Sequence, residues 1–83
     1  MYQIRTIKKS VKYRDIGGKS ISIEKILTRK DIVRESTMGN WACYNFIDRR
    51  NDFPKIPDNT TFYYGHCNDG LGYIVCEDEL EEK

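Results

Sequence analysis

One alanine and three leucines among 83 residues leave this chain short of the side chains that favour helices, while Ile, Lys, Tyr and Asn together supply 29 positions. That balance points to strands, because β-branched and aromatic residues suit a pleated, half-buried surface. The longest uncharged apolar stretches, such as 71–76, are far short of the ~20 residues of a membrane helix. No membrane partner is expected. The opening "MYQIRTIKKS" has neither an apolar core nor a small-residue cleavage site, so it does not read as a secretory signal. Three cysteines are too few, and odd in number, for a disulfide scaffold. The expected location is the cytosol, with all three thiols reduced. There is one histidine, which limits every mechanism that needs an imidazole.

What is present is a polar chain, 33% charged and 39% apolar, whose Ile, Tyr, Phe and Trp are too many for a disordered segment. One domain over 1–83 is expected, burying about 60% of the surface its unfolded chain exposes. The Ile/Lys/Asn/Tyr skew matches AT-rich codons, an association shared with small phage and mobile-element accessory proteins.

The net charge of +1 hides an uneven distribution. Residues 1–34 hold ten Lys or Arg against three acids, and residues 35–83 hold four against ten. Three readings follow: mutual attraction of the halves within the fold, a basic half facing a phosphate backbone, or a pole that docks on an oppositely charged protein.

Along the chain, "YQIRTI" alternates as a half-buried strand, with Tyr2, Ile4 and Thr6 on one side. Val11 and Tyr13 resume an apolar alternation after a turn near Lys8–Ser10, and Gly17-Gly18 makes the next turn. The span 22–35 predicts one helix, capped by Ser22, with Ile23, Ile26, Leu27 and Val33 as its stripe; a second hairpin is the alternative. "STMGN" is a break. "WACYNFID" is apolar on both sides, as in a central strand or a buried helix. Residues 49–59 read as an extended loop anchored by Phe53 and Ile56, and the acidic tail 77–83 is expected to fray.

The segment "TTFYYGHCNDGLGYIVCED" sets His66, Cys67, Asn68 and Asp69 side by side. Asp69-Gly70 between aromatic and β-branched runs predicts a two-residue hairpin loop, which places Tyr64 opposite Val75 and His66 opposite Tyr73. Adjacent strand residues point to opposite faces, so His66 and Cys67 cannot work as base and nucleophile. Cys43, Cys67, Cys76 and His66 match zinc by type, but their spacing lacks the close pairs of structural sites. The exposed acids suggest no carboxylate pair, and "IGGKS" lacks the first glycine and the spacing of a phosphate loop.

The expected fold is α+β, an antiparallel sheet of four or five short strands with one short helix, with an all-β arrangement as the alternative. No catalytic residue, metal or cofactor is expected. The function adopted is a small non-catalytic module that occupies the surface of another protein, a host target, as an inhibitor or regulator; nucleic-acid binding by the basic half is second. The candidate contacts are Arg5, Lys8, Lys9, Lys12 and Arg14, with the hairpin aromatics Tyr63, Tyr64 and Tyr73, two of which the small core is expected to claim.

Overall fold

Each strand of the sheet runs antiparallel to its neighbour, in the order β1 (Gln3–Thr6), β2 (Ser20–Leu27), β3 (Phe62–Cys67) and β4 (Gly72–Cys76). The structure is a computed structural model that describes residues 3–82. Helices α1 (Arg29–Thr37) and α2 (Trp41–Arg49) fill the connection between β2 and β3. The fold is therefore α+β with four strands and two helices, and the all-β alternative does not hold.

The expected helix over 22–35 divides at Thr28 into the end of β2 and the start of α1. Thr28 Oγ1 accepts the Asp31 N–H at 3.3 Å and the Asp31 carboxylate accepts the Thr28 N–H at 3.0 Å, a reciprocal cap that fixes where the helix begins. Ile32 is buried, while Val33 of the expected stripe is exposed. Gly39, at φ 93°, closes α1: its N–H donates to Ser36 and the Asn40 N–H to Glu35. Asn40 then caps α2 by accepting the Cys43 N–H at 3.2 Å. The break at "STMGN" thus ends one helix and starts the next.

The hairpin forms, with a register one residue away from the two-residue loop. Gly65 faces Tyr73, Tyr64 faces Ile74 and His66 faces Gly72. The loop holds three residues, Asn68 to Gly70, closed by the Gly70 N–H donating to Cys67 and the Cys67 N–H to Leu71. Gly70 takes φ 80°, the left-handed position that ends this loop type. Asp69 selects it, since its carboxylate accepts the Leu71 N–H at 2.9 Å and the Tyr73 hydroxyl at 2.8 Å. Those bonds lower the Asp69 pKa. Their contribution is complete above the ordinary aspartate range and is lost as pH falls through the lowered value.

Glu24 is an extra residue in β2, because Ile23 pairs with Gly65 and Lys25 with Tyr64. The bulge changes which β2 residues face which side. Ile21 and Ile23 join one core with Ile7, Val11, Ile16, Tyr63, Tyr73 and Val75, covered by the β1–β2 connection. On the opposite face Phe62, Ile74 and Cys76 pack against Ile32, Cys43, Phe46 and Phe53, beneath the helices. Arg29 docks the loop after α2 by donating to the carbonyls of Phe53 and Ile56 at 2.9 and 2.7 Å.

β1 reverses its expected faces: Ile4 is 70% exposed, while Arg5 and Ile7 turn inward. Tyr2 lies outside the described residues. Val11 and Tyr13 form no strand; Val11 is buried and Tyr13–Asp15 is a short 3-10 turn. The acidic segment does not fray at 77–80. Glu77–Glu79 makes a further 3-10 turn, Leu80 bridges to Ile7, and the Glu81 N–H donates to Thr6 at 2.9 Å. This strap crosses from β4 to the edge of β1.

Side chains close part of the β4 edge. Arg49 donates to the Ile74 carbonyl at 2.8 Å, and Glu79 accepts the Cys76 N–H at 3.0 Å. The two side chains bond to each other at 2.6 and 3.0 Å, nine-tenths buried.

Gly70→Val is expected to cost about 1 kcal/mol or more, since a β-branched residue resists positive φ. Gly65→Ala drives its Cβ into the Ser22 carbonyl, and about 2 kcal/mol or more is expected, as for overpacked sites. Urea denaturation of both variants checks the order.

Candidate functional site

The expected contact residues separate into two groups. Tyr63 and Tyr73 are 9% and 5% exposed and belong to the core, so they cannot contact a partner. This matches the expectation that two of the three hairpin tyrosines are internal. Tyr64 is half-buried, edge-on to His66. Arg5 is also internal: it lies over Tyr63 at 5.9 Å, donates to the Glu81 carbonyl at 3.3 Å and pairs with Glu77 at 3.6 Å. It ties β1 to the C-terminal strap.

Lys8, Lys9, Lys12 and Arg14 are exposed together on the β1–β2 connection, joined by Lys19. None of the five forms an ion pair among the described residues. The two charge poles meet rather than face away from each other, because the Lys8 N–H donates to the Glu79 carbonyl at 2.8 Å and Lys12 shares a surface recess with Asp78. Arg14 and Asp15 both adopt left-handed backbone, φ 49° and 59°. Such residues cost about 1 kcal/mol or more each. The strained pair holds the Arg14 guanidinium 5.3 Å from the Tyr13 ring.

From there Arg14 lines a pocket of about 100 Å³ beside the β4 edge. Asn45 and Arg49 of α2 form one wall, Tyr13 and Arg14 the other, and Leu71 to Ile74 the floor. Arg49 is committed at the base, between Phe46 at 4.8 Å and Tyr13 at 5.2 Å.

The residues missed by sequence reasoning are Trp41 and Tyr44. They are 76% and 55% exposed, with their rings edge-to-face at 6.4 Å on the outer side of α2. Both-sided apolarity in "WACYNFID" comes from a helix that buries Cys43 and Phe46 and leaves two aromatics outside. The Asn40 cap three residues before Cys43 is the signal that favours the helix.

His66 and Cys67 do point to opposite faces. The imidazole Nδ1 bonds to the Glu24 carboxylate, and Ser22 is the cross-strand neighbour of His66. Among the described residues no hydrogen bond joins Ser22 to His66, and the trio lies outside the pocket walled by Arg14 and Asn45. Cys67 lies in the opposite core from Cys43 and Cys76, which divides the four zinc-type ligands between two sides of the sheet. Among the described residues no three His, Cys, Asp or Glu side chains gather as a metal site. Burial pushes the Cys43 and Cys76 thiols up to about 11, with Glu35 and Asp31 adding to the effect at Cys43. Burial, then Asp69, also raises Cys67. At neutral pH all three are thiols, which are poor nucleophiles.

No protein family, curated protein or solved structure matches the chain. No helix among the described residues is long and apolar enough to cross a membrane.

The native protein is expected to leave an aromatic disulfide reagent unreacted at pH 8 over minutes and to titrate three thiols in guanidinium. Rapid modification of one native thiol would contradict the burial of the cysteines.

Proposed function

We propose that this protein is a non-catalytic binding module that acts by occupying the surface of another protein, as a small inhibitor or regulator of the phage or mobile-element accessory type. The observation that carries the reading is the exposed Trp41–Tyr44 pair on α2. Large aromatics left in water by a chain with so little core are costly to keep there, and Trp and Tyr are the residues that dominate protein interfaces. The inert thiols and the separation of His66 from Cys67 support a role without covalent chemistry. Asn40, the cap, and Cys43 and Phe46, the buried contacts, hold α2 still, so its outer aromatics are presented on a fixed helix.

A second reading has its own observation. Lys8, Lys9, Lys12, Arg14 and Lys19 stand on one connection without ion-pair partners among the described residues, as phosphate-binding cations do. The adjoining strap, with Glu77, Asp78, Glu81 and Glu82 exposed, opposes it by repelling a nucleic-acid backbone.

Affinity capture from a lysate of a bacterium with an AT-rich genome, with and without nuclease, separates the two. A partner that survives nuclease and is lost at least tenfold with Trp41→Ala, at unchanged melting temperature, is expected. Fluorescence anisotropy on random oligonucleotides at about 150 mM salt is the complement, since nonspecific binding by nucleic-acid proteins is typically ~10⁻⁴ to 10⁻⁶ M there. Binding tighter than about 1 μM would replace the protein-surface reading with the second.

A further inference from the structure

The edge of β4 is closed over only part of its length. Leu71 pairs with Cys67 and Glu77 with Thr61 through backbone bonds, so the odd-numbered residues of β4 bond to β3 and the even-numbered ones turn outward. Arg49 takes the outward carbonyl of Ile74, and Glu79 the outward N–H of Cys76. Among the described residues no side chain caps the outward N–H and C=O of Gly72. That open end is the floor of the pocket walled by Arg14 and Asn45.

We propose that the Gly72 end of β4 is a docking site for an acidic, extended segment of a partner protein, which adds to the sheet as a strand and places a carboxylate against Arg14. The inference rests on the protein-binding reading and names its chemistry. An uncapped edge offers alternating backbone donors and acceptors, which a peptide matches and a nucleic acid does not. The charge fits an acid, because Arg14 has no ion-pair partner among the described residues and stands on the connection that carries Lys8, Lys9, Lys12 and Lys19. A guanidinium takes a carboxylate with two parallel N–H bonds, so Arg14 also fixes the register of the incoming strand. The strained backbone at Arg14 and Asp15 holds that side chain at the mouth. Leu71, half exposed beside the floor, gives the segment an apolar contact. Asn45 continues the surface to Trp41, one helical turn away on α2. A second copy of this chain fits poorly, since edge-to-edge pairing at Gly72 brings two Arg14 side chains together.

The test is a titration of the ¹⁵N-labelled full chain with a synthetic twelve-residue peptide of alternating Glu and Val, set against the same peptide with Lys in place of Glu. The acidic peptide is expected to shift the amides of Leu71, Gly72 and Ile74 and the Asn45 side chain, and the basic peptide to leave them in place. Arg14→Gln is expected to weaken the acidic peptide at least fivefold with the remaining amides unmoved, and Asn45→Ala to weaken it less. Absent or displaced shifts, equal response to both peptides, indifference to Arg14→Gln, or self-association of the chain through Gly72 would each overturn the proposal. If the peptide fails while capture of a partner still depends on Trp41, the edge site is wrong and the protein-binding reading stands. Loss of both removes both.

Discussion

The Arg49–Glu79 pair closes the middle of the β4 edge without a fifth strand. One guanidinium and one carboxylate supply the donor for Ile74 and the acceptor for Cys76 that a neighbouring backbone would have offered. Arg49 comes from the helix over one face and Glu79 from the strap over the other, so the pair also fastens the two coverings of the sheet to its edge. The guanidinium lies over Phe46 of one core and Tyr13 beside the other. Arg50 adds a second cation to Glu79 at 3.3 Å. Burying such a pair is expensive, and its removal by halves is more so, because the remaining charge stays desolvated. A chain of 83 residues that must cover a sheet on both sides has few other means of doing so.

Much of this was legible in the residues. The Asp69-Gly70 hairpin, the break at "STMGN" and the opposed faces of His66 and Cys67 follow from turn chemistry and strand period, and all three are present. The one-residue shift in register was not, because Asp69 chooses the longer loop through side-chain bonds to Leu71 and Tyr73 that depend on the fold. The β2–α1 boundary was hidden by an accident of spacing, since Ile23, Ile26 and Leu27 mimic a helical stripe while a bulge at Glu24 carries the strand past it. Thr28 with Asp31 three residues on was the better cap signal. Arg5 read as a surface cation. In the fold, a partner 76 positions away in sequence draws it inward, which no local pattern encodes.

The surface that remains is divided in its chemistry. Buried tyrosines and thiols belong to stability, and the open groups are an aromatic pair on α2, a row of cations on the β1–β2 connection, and the uncapped end of β4 between them. These three lie around one helix and one strand edge. Their arrangement depends on α2 staying where Arg49 holds it. Stability and the placement of these exposed groups therefore meet at the same side chain.

A double-mutant cycle on Arg49→Met and Glu79→Met, read by urea denaturation together with hydrogen exchange at Cys76, tests that dependence most directly. The account predicts single-variant losses of about 3 kcal/mol, a coupling of about 1.5 kcal/mol or more, and faster exchange of the Cys76 amide when Glu79 is replaced. A coupling below about 0.5 kcal/mol with Cys76 exchange unchanged would contradict it.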